Sequence, residues 1–328
     1  MSINKNNLEL RQDPITKEWV IISPNRSKKH INIQKQKREV DLQNKDPFWD
    51  PQKSGNEKPS FIKPNIENWK VQIFPNKYPA LKSDIKLTKN QNGPYNTLSA
   101  FGFHDLIVTK SQTQNFSELS KEDALLVFQG AKERYKFMQS KKIKYAMMFQ
   151  NWGPTAGASV PHPHYQIIGL PIIPNSVLNS LNGADKYYKK NHSYGYSDII
   201  KFEKKYKKRI LSENEHAISF TRFASKEPFD FRVFPKKQIP EFSRTNDKIL
   251  EGVVEVLQKS LTMLKKNVKD PDYNFYIHSS PLDKINKYYH WHIDVIPRVT
   301  ISAGVEYGLG VEITVLDPDE SAFIIKND

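Results

Sequence analysis

The sequence predicts an α+β chain built from two fused copies of one unit, each an antiparallel sheet carrying a packed helix. Three observations carry this. At 328 residues the chain exceeds the usual size of one domain. The order strand, strand, helix, strand occurs twice. Each pass ends on histidines at alternate positions, His162-Pro163-His164-Tyr165-Gln166 in the first and His290-Trp291-His292-Ile293-Asp294 in the second. An internal duplication is the economical explanation. The units fall at residues 1–173 and 216–328, with a connector at 174–215 rich in Asn, Lys and Tyr.

Taken in order, Trp19-Val20-Ile21-Ile22 reads as a strand closed by Ser23-Pro24. The polar run from Lys28 to Gln52, broken by Asp46-Pro47 and Asp50-Pro51, reads as an extended surface segment. VQIFPNKYPAL from Val71 is a short strand entering a Pro-bounded loop, and FHDLIVTK (103–110) is another strand. Ser120 with Asp123 three residues on is a helix start, followed by an apolar face through Leu125, Leu126, Phe128, Ala131, Tyr135 and Met138. Tyr145–Gln150 is the strand before the first histidine row.

In the second pass, Ala217–Phe220 and Phe231–Phe234 read as strands and 247–265 as an amphipathic helix through Ile249, Leu250, Val253, Val254, Leu257, Leu261 and Leu264. Asn274–Ile277 is a strand, and Tyr289–Val295 closes the unit.

Composition narrows the function. Hydrophobic residues make up 38% and aromatic residues 12%, enough for a core. The formal charge of +14 would attract nucleic acid or a phosphorylated small molecule alike. Without an Arg-Gly segment or zinc-finger spacing, no nucleic-acid partner is expected. Cysteine is absent, which excludes disulfides, thiolate metal sites and a cysteine nucleophile. No stretch has signal-peptide or membrane-spanning character, so a cytoplasmic protein without a membrane partner is expected.

On a strand, His162, His164 and Gln166 would face one side. An imidazole there can serve as general base, metal ligand or nucleophile toward phosphorus. The preceding loop Gly153-Pro154-Thr155-Ala156-Gly157-Ala158-Ser159 is small and turn-prone, so its backbone N–H groups and the Ser159 hydroxyl could approach a phosphate.

HPHYQ (162–166), FQNWGPTAGAS (149–159), RQDPITKEWVIISPNR (11–26), FPNKYPAL (74–81) and HWHIDVIPR (290–298) with AGVEYG (303–308) together resemble the galactose-1-phosphate uridylyltransferase family of the histidine-triad superfamily. The likeness runs over roughly residues 8–320. It implies two histidine-triad-like units and a ping-pong nucleotidyl transfer. In that scheme His164 attacks the α-phosphorus of a nucleoside-diphosphate hexose, Gln166 donates to a phosphate oxygen, and His162 orients the nucleophile. The resemblance further assigns Asn76 and Asn151 to the nucleotide, Gly157 to the phosphate loop, Ser159 and Arg26 to phosphates, and Glu306 to sugar hydroxyls across a homodimer interface. The implied partners are a nucleotide sugar and a sugar phosphate, with a UDP-hexose favoured. ADP-glucose with phosphate as acceptor is the alternative, and a non-enzymatic nucleotide-binding protein is the third reading.

Two family zinc sites depart from the pattern. At the first, Asp46, Trp49 and Thr113 stand where ligands are expected, leaving His162. At the second, Tyr194, Ser197 and Gln238 stand there, leaving His290. Tetrahedral zinc needs four good ligands, so no zinc and no other cofactor is expected. His278, His290 and His292 match a further metal trio of the family, for which 174–215 supplies no identifiable Glu.

Overall fold

The computed structural model describes residues 8–26, 38, 40–43 and 45–327. Of the expected surface segment 28–52, residues 28–37, 39 and 44 lie outside the described residues. Within the remainder, Asp46 and Phe48 are buried rather than exposed.

The first half contains β1 (Glu9–Gln12), β2 (Trp19–Ile22), β3 (Phe61–Lys63), β4 (Val71–Pro75), the hairpin β5 (Lys89–Asn92) and β6 (Tyr95–Leu98), β7 (Phe103–Thr109), helix α1 (Lys121–Gln139), β8 (Tyr145–Trp152) and β9 (His164–Leu170). Helices α2 (Asn175–Asn191) and α3 (Gly195–Tyr206) follow. The second half contains β10 (Ile210–Glu213), β11 (Ala217–Thr221), β12 (Phe231–Pro235), helix α4 (Asp247–Asn267), β13 (Tyr273–His278) and β14 (His292–Pro297). The chain closes with α5 (Gly304–Leu309), β15 (Glu312–Thr314) and α6 (Pro318–Lys326).

Ten strands form one antiparallel sheet in the order β10-β11-β12-β14-β13-β8-β9-β7-β4-β3. Outward from the central β13–β8 pair the order is the same on both sides, as a duplicated unit would give. That pair is antiparallel, with Asn274 opposite Asn151 and Tyr273 opposite Trp152.

The two long helices start where side-chain oxygens accept orphan backbone N–H groups. Ser120 caps α1 by accepting from Asp123 N at 3.0 Å, and Asn246 caps α4 by accepting from Ile249 N at 2.9 Å. Both helices feed one core containing Phe128, Tyr135, Leu250, Val254, Leu257 and Leu261, with Tyr165, Ile167, Phe275 and Ile293 from the sheet. Truncating one such leucine to Ala costs about 2–5 kcal/mol.

Strand alternation then decides the site. Tyr165 and Ile167 point into the helix-side core, so His164 and Gln166 face the opposite side. In the second half that opposite face is covered by α2 and α3, whose Val177, Leu181, Tyr196 and Ile200 pack with Ile218, Phe220, Phe234 and Tyr289.

Both histidine rows differ from expectation at their starts. The strands begin at His164 and His292, so His162 and His290 precede them instead of sharing a pleated face. The cause is local bonding. Both rings turn toward backbone carbonyls, and Trp291 N donates to Ile239 O at 3.0 Å.

Candidate active site

His164 Nδ1 lies 2.9 Å from the carbonyl oxygen of His162. A carbonyl only accepts, so the hydrogen sits on Nδ1 and Nε2 keeps its lone pair. Burial lowers the His164 pKa below its ordinary value, so the ring is neutral near pH 7. A neutral, oriented imidazole of this kind can act as a nucleophile. Phe48 packs against it with ring centroids 5.2 Å apart.

His162 is held at both ring nitrogens. Nδ1 is 2.7 Å from Asp46 Oδ2, and Nε2 is 2.7 Å from Thr109 O. Gln112 Nε2 donates to the same Asp46 oxygen at 2.6 Å. Burial pushes the Asp46 carboxyl up, but hydrogen bonds from His162, Phe48 N and Gln112 outweigh it and leave the group below the usual range. With an ionised carboxylate on one side and a carbonyl on the other, His162 offers no lone pair to a metal. Trp49 instead stacks under the Lys110 ammonium at 4.8 Å. These residues do not fit the family's zinc.

Gln166 is oriented from β7. His104 Nδ1 accepts from Ala80 N at 3.1 Å, and His104 Nε2 lies 2.8 Å from Gln166 Oε1. Asn76 Nδ2 sits 3.2 Å from that same His104 nitrogen, while Asn76 Oδ1 accepts from Tyr78 N at 2.9 Å. Asn76 and Gln166 are thus brought together through a residue that motif reading passed over. The available signal was strand alternation, since His104 is opposite Ile168 and Leu106 is opposite Gln166. His104 therefore stands diagonal to Gln166 on one face.

Asn151, Ser159 and His162 line one concavity of about 290 Å³ together with Arg38, Trp152 and Pro163. Asn151 Oδ1 accepts from Asn274 Nδ2 at 2.8 Å, which turns the Asn151 amide nitrogen away from the second half. The loop that follows needs its glycines. Gly153 has φ +86°, and a Cβ there would fall 1.9 Å from Asp272 Oδ1. Gly157 has φ +87°. The expected cradle of loop N–H groups is corrected, however. Thr155 N donates to Asp272, and Ala156, Gly157 and Ala158 N donate to carbonyls of Gly153 and Pro154. The loop's internal turn uses these hydrogens, so its contribution to an anion falls to Ser159, which is exposed.

Arg26 and Glu306 line a second concavity of about 920 Å³ with Thr155, Lys226, Glu227 and Arg298. Glu306 Oε2 accepts from Ala303 N at 2.8 Å, capping α5. Within one chain they are therefore not grouped with Asn151 and Ser159.

The second row is arranged otherwise. His290 has Nδ1 3.0 Å from Ile239 O and Nε2 2.8 Å from Pro235 O, so it cannot ligate a metal. Ser197 Oγ donates to Gln238 Oε1 at 3.0 Å, and the second zinc does not fit either. The expected trio is corrected as well. His278 and His292 are joined by Asp294, not His290, with donor atoms within 4.8 Å of one another. Yet Asp294 already faces Arg232 Nε at 2.8 Å and Arg222 Nη1 at 3.7 Å. A divalent ion there would meet two guanidinium groups.

The model of the galactose-1-phosphate uridyl transferase N-terminal domain matches residues 2–174, and a domain of unknown function, DUF4921, matches residues 98–325. ADP-glucose phosphorylase of Arabidopsis thaliana is 29% identical, over 99% of this chain and 94% of its own length. Galactose-1-phosphate uridylyltransferase of Saccharomyces cerevisiae is 26% identical over 86% of this chain and 82% of its own. Among solved structures, an Arabidopsis thaliana ADP-glucose phosphorylase with bound ADP-glucose superposes with TM-score 0.84 at 28% identity, covering 98% and 99% of the two chains.

Proposed function

The chain belongs to the galactose-1-phosphate uridyl transferase family, and from that premise we propose that it transfers a nucleoside monophosphate from a nucleoside-diphosphate hexose to a phosphorylated acceptor through a covalent intermediate on His164. The carrying observation is the His164 ring, hydrogen-bonded at Nδ1 and without a hydrogen-bond partner at Nε2 among the described residues.

The Nε2 lone pair attacks the α-phosphorus. The bond from that phosphorus to the bridging oxygen breaks, and hexose 1-phosphate leaves with the electron pair. An acceptor phosphate oxygen then attacks the same phosphorus, and the N–P bond breaks. A phosphate leaving group needs no proton, so no acid is required opposite the histidine. Gln166 stabilises the charge gathering on a non-bridging oxygen by donating from its amide. His162 supports the nucleophile through its backbone carbonyl, with Asp46 fixing its ring. Asn76, Asn151 and Ser159 contact the nucleotide and its phosphates.

The donor best supported is ADP-glucose, with inorganic phosphate as acceptor, because the Arabidopsis relative that carries that name matches nearly the whole chain. A UDP-hexose donor with hexose 1-phosphate as acceptor is the second reading, supported by the N-terminal family match. A homodimer is part of the proposal. Arg26 and Glu306 lie outside the concavity of Asn151 and Ser159, and Ile301, Val305, Tyr307 and Leu309 beside Glu306 are exposed. Light scattering at the mass of one chain would remove the dimer from the proposal.

The test uses ADP-glucose and UDP-glucose labelled at the α-phosphate. An acid-labile, base-stable label on the protein from one donor supports the transfer and names the base. No label from either donor overturns the enzymatic reading.

A further inference from the structure

We infer that His104 is a positioning residue for Gln166, fixing the amide so that its nitrogen, not its oxygen, faces the reacting phosphate. The inference rests on the proposed nucleotidyl transfer and adds a residue to it.

A glutamine amide has two faces of similar shape and opposite polarity. Turned one way it donates to a phosphate oxygen; turned the other way it presents a carbonyl oxygen to that anion. Something must choose. The choice is made by a chain of obligate partners starting at the backbone. Ala80 N–H can only donate, and it meets His104 Nδ1 at 3.1 Å. Nδ1 is therefore bare, and in the neutral ring the hydrogen is on Nε2. That nitrogen lies 2.8 Å from Gln166 Oε1, which accepts. The Gln166 carbonyl is thereby turned toward β7, which leaves the NH2 group for the side of His164.

The backbone neighbours fit this assignment, while Asn76 Nδ2, 3.2 Å from Nε2, is itself a donor and makes no hydrogen bond to the Nε2–H ring. Asn76 N donates to His104 O at 2.8 Å, which ties the backbone after β4 to the strand bearing the ring. Asn76 Oδ1 is committed to Tyr78 N. The Asn76 amide nitrogen therefore cannot be replaced by its oxygen near His104. Hydrogen on Nδ1 instead would give Asn76 Nδ2 an acceptor at Nε2 but would break the contact with Ala80 and release Gln166. Only the Nε2–H form satisfies Ala80 and Gln166 together.

Two readouts test the role. The first is the rate of nucleotidyl-enzyme formation in a double-mutant cycle. His104→Leu fills the space without a donor and is expected to slow formation about 10- to 100-fold, with KM moved less than about threefold, since one misdirected transition-state donor acts on rate. His104→Gln restores a donor toward Gln166 and is expected to recover most of the rate. In a Gln166→Ala background, His104→Leu is expected to change the rate less than about twofold, because a residue acting through another has nothing left to act on. An equal loss in both backgrounds, or no loss with Gln166 present, overturns the inference.

The second readout does not need activity. Nitrogen-15 NMR of the full chain labelled at histidine, with the His104 signal assigned by its loss in His104→Gln, reports which ring nitrogen carries the hydrogen. The Nε2–H form is expected near pH 7.5, and an Nδ1–H or doubly protonated ring overturns the inference. Absence of any nucleotidyl label in the unaltered protein would defeat the transfer reading, and the NMR result would still decide how Gln166 is held.

Discussion

The two histidine rows share a scaffold and differ in what is laid over it. In each, the first ring is locked at both nitrogens, and the second ring points Nδ1 at the first residue's carbonyl, 2.9 Å in His164 and 3.0 Å in His292. The third position then separates them. Gln166 is neutral and bonded to neutral His104, whereas Asp294 is a carboxylate bonded to Arg232. The surroundings separate them further. His292 lies under Phe234, at 4.9 Å between ring centroids, and Tyr196 of α3, at 5.4 Å. His164 lies next to a concavity lined by Asn151 and Ser159. One backbone arrangement thus provides either the proposed nucleophile or a buried ionic hub, depending on the third residue and on whether helices cover the face.

The largest expected contrast is catalytic. His164→Ala should lower nucleotidyl transfer by on the order of 10⁴-fold or more, as removing a nucleophile does. His292→Asn should leave the rate of folded protein within about threefold. A rate loss in His292→Asn as large as that in His164→Ala would erase the distinction between the rows.

A stability contrast follows. Arg232 lies buried between Asp294 and Asp13, so Arg232→Met strands buried carboxylates and should cost about 3–5 kcal/mol in urea unfolding. Gln166→Met, at a partly exposed position without a charge, should cost about 1 kcal/mol or less. Equal costs would mean that the two third residues do the same structural work.

Acid sharpens the comparison. Burial lowers His164 and, more strongly, His292 below the ordinary histidine value. For Asp294, burial pushes upward, but Arg232, His278 and Arg222 hold it well below the carboxylate range. A depressed folded-state pKa favours folding fully above the unfolded value and less as pH falls through the folded value. The contributions of these groups to stability should therefore hold above pH 6.5 and decline below it as the unfolded histidines take protons. The acid limb of transfer should have its midpoint below pH 6.5, set by His164. An acid limb above pH 6.5 would contradict a neutral, buried nucleophile. The smallest expected effect is that of metal removal. Chelation should change neither melting temperature nor rate, and more than about one zinc per purified chain would contradict the bonding assigned to His162 and His290.

Much of this was legible from local sequence. The capped helices, the paired rows and the glycine-dependent turn before His164 depend on neighbours within a few residues. What was not legible depends on distant ones. His104 and Gln166 are 62 residues apart, and Asp46 and His162 are 116 apart. A single polar residue in an apolar strand carries no mark of its cross-strand partner. Likewise, Asp294 lay in plain view after HWHI, but its role comes from Arg232 on another strand and Asp13 near the start. The hairpin β5–β6 escaped notice because both strands are exposed throughout, so no apolar alternation marks them. The fate of the loop N–H groups is not legible because nothing in GPTAGAS announces that Asp272 takes the Thr155 hydrogen.

In the proposed reaction the first row, not the second, forms the covalent bond. Protein incubated with ADP-glucose or UDP-glucose, quenched in base and digested, can be mapped by mass spectrometry. A nucleoside monophosphate is expected on the peptide containing His164 and none on the peptide containing His292. A nucleotide adduct on His292, or on any peptide of the His164→Ala protein, would contradict the proposed reaction.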